Sequence, residues 1–193
     1  LTNVSILSAF EQENLYSLIH HANNDEIKKY LSQRFDLPTY TLDSYSFDEQ
    51  KNRVPTITAT YKITAEKYAT ISGKRLFVMP NILSKDRGQY KPDSSRKYSF
   101  QLNYSFKHAD TVNITIPAGY SVESMPKPVS ITNKFGKYEI HFSADANNIT
   151  CTRLFEQYEG IFPPETWNEY VKFFDDIFKA DRSKMVFVKK DGQ

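Results

Sequence analysis

The sequence predicts a mainly β, α+β fold, namely an antiparallel β-sandwich-like domain with helices near the N- and C-termini. Three observations support this prediction. Most of the chain after residue 38 alternates apolar and polar residues with a period of two, which is typical of strands with one buried and one wet face. Helical spacing is concentrated near the two ends of the sequence. Strands and helices do not alternate regularly, which argues against a parallel sheet.

Composition narrows the classes of protein to be considered. The chain has 193 residues, a net charge of +2, 39% hydrophobic residues and 25% charged residues. This length suits one domain, or one domain with an appended piece. The balanced charge argues against a nucleic-acid partner bound through a broad cationic face. No run reaches the ~18 uninterrupted apolar residues of a membrane span, and a single cysteine excludes an internal disulfide.

The N-terminal region has helical rather than strand-like spacing. We expect the first 36 residues to be helical, with Asp25 as the N-cap of a helix from Glu26 to Phe35. Residues 1–37 would then be a helical segment, either the tail of a preceding domain or a packed extension. Residues 38–193 would form the antiparallel β-rich domain with its C-terminal helix.

Four stretches alternate most clearly and predict the main strands. Their apolar members are Ile57, Ala59, Tyr61 and Ile63; Tyr98, Phe100, Leu102, Tyr104 and Phe106; Val112, Ile114 and Ile116; and Tyr138, Ile140 and Phe142. Shorter strand candidates are residues 40–47, 67–72, 75–79, 129–132, 148–158 and 185–188. Ser72 and Gly73 are placed to form a hairpin turn, and the polar segment from Ser84 to Arg96 predicts a long mobile loop.

The last third of the chain predicts one strong helix. Pro163 and Pro164 precede it, and proline suits the first turn of a helix. A wide aromatic and aliphatic stripe follows at helical spacing, which indicates a face buried in the core. Its members are Trp167, Tyr170, Val171, Phe174, Ile177 and Phe178.

Cys151 is the only thiol and therefore the first candidate nucleophile. A catalytic thiol usually lies at a helix N-terminus or beside an imidazole that lowers its pKa. Cys151 instead falls on a predicted strand in phase with Ile149, so we interpret it as a small buried hydrophobe. A stand-alone thiol enzyme is the weakest of the functional hypotheses.

The histidines and paired carboxylates form no recognisable catalytic or metal-binding pattern. His20 and His21 are adjacent on a predicted helix and point about 100° apart, so they do not easily converge on one ion. His108 is expected in a turn and His141 on the polar face of its strand. The carboxylate pairs are Asp175 with Asp176, on the solvated face of the last helix, and Glu156 with Glu159. We therefore predict no catalytic residue, no metal site and no cofactor in this chain.

A basic run interleaved with acidic residues lies in the predicted loop. Its positive charges are Lys85, Arg87, Lys91, Arg96 and Lys97. Tyr90 has a ring that could stack on a ligand there, although a solvated loop is the simpler account. From this segment we single out Tyr90, Lys91 and Arg96 as the candidate docking surface.

Several different turn-and-strand motifs follow one another along the chain. The longest runs from Ile116 to Pro128 and contains Gly119 and Tyr120. The others are Gly73 to Asn81, Phe135 to Tyr138, Tyr158 to Pro164 and Ala180 to Val188. Together, from about Pro38 to Val188, these motifs resemble the C-terminal accessory domain of exported bacterial proteins with a transglutaminase-like core.

The resemblance implies that a β-rich domain and a papain-like Cys-His-Asp domain precede this one in the same polypeptide. The family's catalytic residues belong to that core, and none has a counterpart here. The resemblance also implies an exported location, periplasmic or on the outer surface. Pro117 and Gly119 would then have structural roles in ending a strand and turning the chain. The alternative for this motif is a peptide-docking edge.

Two functional hypotheses follow. The first is a non-catalytic accessory domain of a transglutaminase-like or cysteine-protease-like protein, which shapes substrate access or docks a partner. The alternative is an independent glycan- or peptide-binding β-sandwich module, whose tyrosines would supply stacking surfaces. The chain starts with neither an initiator methionine nor a signal peptide, so we expect it to be a processed or excised piece of a longer protein.

Overall fold

The computed structural model describes residues 2–8, 12–33, 35, 37, 39–82, 84–85 and 90–190. The chain divides into two compact units, Leu1–Tyr68 and Ala69–Gln193. Within the described residues, no helix combines the length and the apolar character that crossing a membrane requires.

The first unit combines an antiparallel sheet with two helices among its described residues. In chain order its elements are β1 (Thr2–Ser8), α1 (Glu13–His21), α2 (Asn24–Leu31), β2 (Tyr40–Gln50) and β3 (Thr56–Ala65). The strand order is β1-β3-β2, so the last strand is the central one.

The alternation predicted for β3 is confirmed. Ile57, Ala59, Tyr61 and Ile63 are at most 1% exposed, and they pack with Leu15 of α1 and with Ile27 and Leu31 of α2. The Tyr40 hydroxyl donates a hydrogen bond to the Leu31 carbonyl at 2.6 Å, which ties the end of α2 to β2. One face of the sheet is thus the platform for both helices.

The helical prediction for the first residues of the chain is wrong, because residues 2–8 form strand β1. All seven residues pair with β3 in an unbroken antiparallel register, from Thr2 opposite Lys62 to Ser8 opposite Thr56. Backbone pairing with a central strand outweighs the sparse helical spacing of the apolar residues in this segment.

The start of α2 also differs from the prediction. Asn23 rather than Asp25 is the N-cap, because its side chain accepts hydrogen bonds from the amides of Asp25 and Glu26, at 3.0 Å each. The Glu26 carboxylate accepts a hydrogen bond from the backbone N–H of Asn23 at 2.9 Å, which completes a capping box. The helix ends at Leu31, short of the predicted end at Phe35.

The division between the compact units falls after Tyr68, whereas the sequence suggested a boundary between residues 37 and 38. The physical reason is the packing of α1 and α2 on the sheet. Because β3 supplies most of the buried residues under the two helices, β2 and β3 belong with the helical segment.

The second unit is built mainly from antiparallel strands. In chain order its elements are β4 (Thr70–Ser72), β5 (Arg75–Val78), β6 (Phe100–Leu102), β7 (Phe106–Thr115), β8 (Tyr120–Ser124), β9 (Val129–Asn133), β10 (Gly136–Ala144), β11 (Asn148–Gln157), β12 (Gly160–Phe162), α3 (Trp167–Asp181) and β13 (Met185–Lys189). Two four-stranded sheets have the orders β7-β11-β10-β9 and β4-β5-β13-β8, and β6 and β12 form a ribbon. The α+β, sandwich-like prediction is confirmed.

The core of this unit has two parts. Four of the six members of the predicted α3 stripe are buried, whereas Trp167 and Phe178 are half-buried. Tyr170, Phe174 and Ile177 pack with inward-facing residues of β10 and β11. A second cluster packs Ile149 of β11 with Met185 and Phe187 of β13. The second cluster joins the two four-stranded sheets.

The single strand predicted from Tyr98 to Phe106 is wrong, because the chain forms two strands there. β6 ends with Leu102 opposite Gly160, and β7 begins with Phe106 opposite Gln157. Three residues on one side therefore lie across from two on the other, so the first side has one extra residue and the pairing is interrupted. Tyr98 and Tyr104, predicted to be buried, are 81% and 50% exposed.

Two predicted turns are confirmed. Ser72 pairs with Arg75, and Gly73 between them has φ +57°, as a tight hairpin requires. Gly119 has φ +78°, and the amide of Tyr120 donates to the Pro117 carbonyl at 3.0 Å. The chain can then enter β8 immediately after the turn.

Candidate functional site

A polar cluster surrounds the carboxylate of Asp181, the last residue of α3, whose side chain is completely buried. Oδ1 accepts hydrogen bonds from Asn81 Nδ2 at 2.8 Å, Tyr138 OH at 2.7 Å and Arg153 Nε at 2.7 Å. Oδ2 accepts from Arg153 Nη2 at 3.1 Å. Four hydrogen bonds therefore reach this carboxylate, three of them at Oδ1 and one at Oδ2.

Arg153 links this carboxylate to a second one that is nearer the surface. Its Nη1 donates to Asp110 Oδ2 at 3.3 Å, and the two residues are opposite each other on β11 and β7. The Asp110 side chain is 29% exposed, and its Oδ1 accepts from Ser84 Oγ at 2.6 Å. We refer to Asn81, Ser84, Asp110, Tyr138, Arg153 and Asp181 as the Asp181 cluster.

The local pattern of each element explains how these residues meet. Arg153 lies between Cys151 and Phe155 on the inward face of β11, and all three are buried. Asp181 follows Ile177 by four residues on α3, so both lie on the same face of the helix. A buried charge is tolerated only when it is paired, and the packing of α3 on β11 supplies the partner.

Burial and charge shift three pKa values in this region. Burial alone would lower the pKa of Arg153, but hydrogen bonds and charge from Asp181 outweigh it and raise that pKa. The pKa of Tyr138 is raised mainly by burial and, to a smaller extent, by the charge of Asp181. Burial first, and then the charges of Asp110 and Asp181, raises the pKa of Cys151 to about 11. At neutral pH the arginine is charged, while the tyrosine and the thiol are protonated.

This arrangement is suited to holding segments together rather than to proton transfer. The Asp181 carboxylate is completely buried and hydrogen-bonded within the fold, so it is not presented to a substrate. Cys151 is 2% exposed, and a raised pKa opposes formation of the thiolate that nucleophilic catalysis needs. The cluster joins the segment after β5 to β7, β10, β11 and the end of α3.

The three residues of the predicted docking surface lie together against the first turns of α3. The ring of Tyr90 packs edge-on against Tyr170 with 5.0 Å between centroids. The Lys91 carbonyl accepts a hydrogen bond from Trp167 Nε1 at 2.9 Å. The guanidinium carbon of Arg96 lies 4.4 Å from the centre of the Trp167 ring, within cation–π range.

Residues 90–96, which we call the α3 strap, are bound to the helix by polar contacts as well. The amide of Asp93 donates to Asn168 Oδ1 at 2.9 Å, and Asn168 Nδ2 donates to Ser94 Oγ at 3.1 Å. The strap is the second half of the loop predicted to be mobile. Residues 86–89 of that loop lie outside the described residues.

The remaining sequence candidates are dispersed. His108 lies on β7 opposite Phe155 rather than in a turn, because the alternation of β7 begins at Phe106. His20 Nε2 lies 2.9 Å from a carboxylate oxygen of Glu49, and His141 is exposed on its strand. In the part of the chain that the structure describes, no three His, Cys, Asp or Glu side chains are grouped to hold a metal ion.

The acidic pairs have ordinary surface partners. Asp175 and Asp176 accept hydrogen bonds from Lys179 and Lys172, each four residues away on α3 and each at 2.6 Å. Glu156 forms an ion pair with Lys107 at 3.0 Å. These contacts agree with the prediction of a solvated helix face.

The Asp181 cluster was not predicted, although the sequence contains two signals of it. Arg153 interrupts an inward-facing series on β11 that otherwise contains Ile149, Cys151 and Phe155. Asp181 continues the buried face of α3 four residues after Ile177. A charged residue in phase with buried apolar neighbours on two different elements indicates a buried ion pair.

The fold and cluster define a class, namely a β-rich α+β domain whose charged core residues are paired internally. Residues 74–187 match the family described as "Domain of Unknown Function with solved-structure structure (DUF3858)". The match covers more than half of the 193 residues, so the chain belongs to the DUF3858 family. Neither a curated protein nor a solved structure matches the chain.

Proposed function

We propose that this chain is a non-catalytic accessory domain in an exported bacterial protein with a transglutaminase-like core. It shapes substrate access to that core or docks a partner. The sequence resemblance from about Pro38 to Val188 motivates the proposal, and the family match over residues 74–187 falls within the same span. The upstream core would carry the Cys-His-Asp chemistry.

One observation carries the non-catalytic part of the proposal. The buried charges of the second unit are paired with one another, because Arg153 binds both oxygens of Asp181 and also Asp110. The neighbouring thiol of Cys151 is buried with a raised pKa. Side chains paired in this way hold elements of the fold together and present no reactive group to a substrate, which supports an accessory rather than a catalytic role.

The docking surface belongs to the same proposal, but its residues have unequal roles. Tyr90 is 39% exposed and Lys91 is exposed, so both present side chains to a partner. The Arg96 guanidinium is engaged with the Trp167 ring and with the Tyr98 carbonyl, to which its Nε donates at 3.0 Å. We assign contact with a partner to Tyr90 and Lys91, and positioning of the strap to Arg96.

A glycan- or peptide-binding module is the second candidate function. Tyr98, which is 81% exposed, and Tyr104, which is 50% exposed, are the observations that favour it, since exposed rings stack on sugars. The Trp167 ring supplies less stacking surface, because Arg96 already lies over it. This candidate requires saturable binding by the 193-residue chain alone.

The first experiment is an immunoblot of the source cell with an antibody against this chain. A band well above 22.4 kDa supports an accessory domain within a longer polypeptide, whereas a band at 22.4 kDa overturns it. In the longer polypeptide, deletion of residues 69–193 should reduce the solubility or activity of the core, while Lys91→Glu should change partner binding alone. Saturable binding of a glycan by the chain itself, abolished in Tyr98→Ala, would establish the second candidate instead.

A further inference from the structure

The outer edge of β1 differs from the other strand edges of the molecule. β1 is an edge strand of the sheet in the first unit, and its seven residues pair with β3 without a bulge. The strand contains no charged residue and no proline. Edge strands in soluble proteins usually carry such features, because bare edges pair with other strands.

The other edge strands among the described residues are each shortened, charged or interrupted. β4, β6 and β12 have three residues each, and β9 has five residues and follows two prolines, Pro126 and Pro128. The charged residues on the longer edges are Asp43, Asp48 and Glu49 on β2, Lys107 and Asp110 on β7, and Glu123 on β8. The pairing of β2 with β3 also shifts register between Leu42 and Ser44. β1, in contrast, is a seven-residue edge strand that carries no charge and has no interruption in its pairing.

The exposed aliphatic side chains beside this edge are also typical of a strand that pairs with a further strand. Val4 and Ile6 are 57% and 73% exposed on the face of the sheet away from the helices. They lie opposite Thr60 and Thr58 of β3, so the aliphatic pair forms the rim of an otherwise polar face. A strand added next to β1 would cover both side chains with its own residues.

We propose that the outer edge of β1 is completed by a strand from a neighbouring domain of the same polypeptide. This inference rests on the proposed function, which places such a domain beside the chain. The added strand is an uncharged extended segment with aliphatic side chains next to Val4 and Ile6. Its backbone bonds supply the affinity, and the two aliphatic side chains fix its register.

The size of the edge favours a tethered strand over a second copy of the chain. A stable interface between separate proteins uses about 20–30 residues on each side, whereas β1 offers seven. A covalently connected strand meets the edge at a local concentration on the order of millimolar, so a small surface is sufficient. A second copy is therefore an alternative outcome of the test.

The test compares hydrogen–deuterium exchange of β1 in the 193-residue chain and in the natural polypeptide from the source cell. We expect the β1 amides that do not bond to β3 to exchange at least about tenfold more slowly in the natural polypeptide. The amides of β2, the charged edge of the same sheet, should exchange equally in both.

Ile6→Lys should return β1 exchange in the natural polypeptide to the rate of the isolated chain. The matched control is Thr58→Lys, the residue opposite Ile6 on the central strand, which should leave β1 protected. A longer polypeptide with an unprotected β1 overturns this inference and leaves the proposed function standing. A natural polypeptide of 22.4 kDa overturns both, and protection that rises with concentration replaces the tethered strand with a second copy.

Discussion

Arg153 binds both carboxylate oxygens of Asp181, with Nε 2.7 Å from Oδ1 and Nη2 3.1 Å from Oδ2. The side chains are 4% and 0% exposed, so the pair is removed from water. Bidentate contacts between arginine and a carboxylate are strong and directional. This contact fixes the end of α3 on β11 in a way that aromatic packing alone does not.

Asp181→Asn should therefore destabilise the second unit strongly. The asparagine keeps the shape of the side chain but leaves the charge of Arg153 buried without its main partner, at a cost of about 3–5 kcal/mol. Urea unfolding followed by circular dichroism measures the loss. The matched control is Asp176→Asn on the same helix, whose pair with Lys172 is on the surface, and it should change stability by less than about 1 kcal/mol.

A double variant separates the cost of an unpaired charge from general damage to the core. Arg153→Met combined with Asp181→Leu should be more stable than either single change, because no buried charge is left alone. Recovery should fall short of the wild type, since Tyr138 and Asn81 lose the oxygen to which they donate. Additive losses in the double variant would mean that the pair is not the source of the stabilisation.

The buried thiol of Cys151 should make the free energy of unfolding decrease at alkaline pH. Its pKa is raised from 9.0 to about 11, first by burial and then by the charges of Asp110 and Asp181. A group whose pKa is higher in the folded state stabilises that state fully below the ordinary pKa, and the contribution is lost as pH rises from about 9 to about 11. The free energy of unfolding should fall between about pH 9 and about 11, and less steeply in Cys151→Ala. Equal slopes for the two proteins would remove the thiol as the cause.

The same burial predicts low reactivity of the thiol. Iodoacetamide should label Cys151 slowly in the native chain and quickly in urea, with mass spectrometry as the readout, because only the exposed thiolate reacts. Tyr16→Phe, a change at an exposed ring of α1, should leave the native rate unchanged. Rapid native labelling that abolishes an activity would revive the thiol-enzyme hypothesis.

The sequence was sufficient where a single element determines the pattern. The burial of Ile57, Ala59, Tyr61 and Ile63 follows from a period of two on one strand, and that of Tyr170, Phe174 and Ile177 from helical spacing on α3. Such patterns need no knowledge of the partner element. They were enough to predict the fold class and most of the strands.

Features that depend on two distant segments were not predictable in this way. β1 is a strand because β3, which lies 48 to 60 residues later in the chain, pairs with it. The interruption between Leu102 and Phe106 exists because the opposite side has one residue fewer. Asp181 and Arg153 lie 28 residues apart in the sequence, and only the packing of α3 on β11 brings their charges together. The roles of Tyr90 and Arg96 likewise required the position of Trp167.

Arg96→Ala tests whether this arginine positions the α3 strap. Trp167 is the only tryptophan in the chain, so its fluorescence reports directly on the loss of the guanidinium 4.4 Å from its ring. We expect a shift in the emission spectrum and a loss of about 0.5–1 kcal/mol of stability. Lys97→Ala, the exposed neighbour, should change neither. An unaltered spectrum in Arg96→Ala would leave the arginine free for partner contact.

Gly136→Ala should destabilise the second unit through a backbone clash. Gly136 begins β10 opposite Gln157, and a Cβ there would overlap the carbonyl oxygen of Glu156 and lie 3.2 Å from its carbonyl carbon. Backbone in a paired strand does not move aside as a flexible side chain would, so we expect a cost of about 3 kcal/mol or more.

The matched control for this change is Gly119→Ala, where the Cβ meets nothing within 4 Å but φ is +78°. Only conformational strain of about 1–2 kcal/mol should appear there. Urea unfolding ranks the two variants, and exchange of the β10 and β11 amides locates the damage. If Gly136→Ala costs no more than Gly119→Ala, the β10–β11 pair yields locally, and the close approach of the two backbones is not what requires glycine at this position.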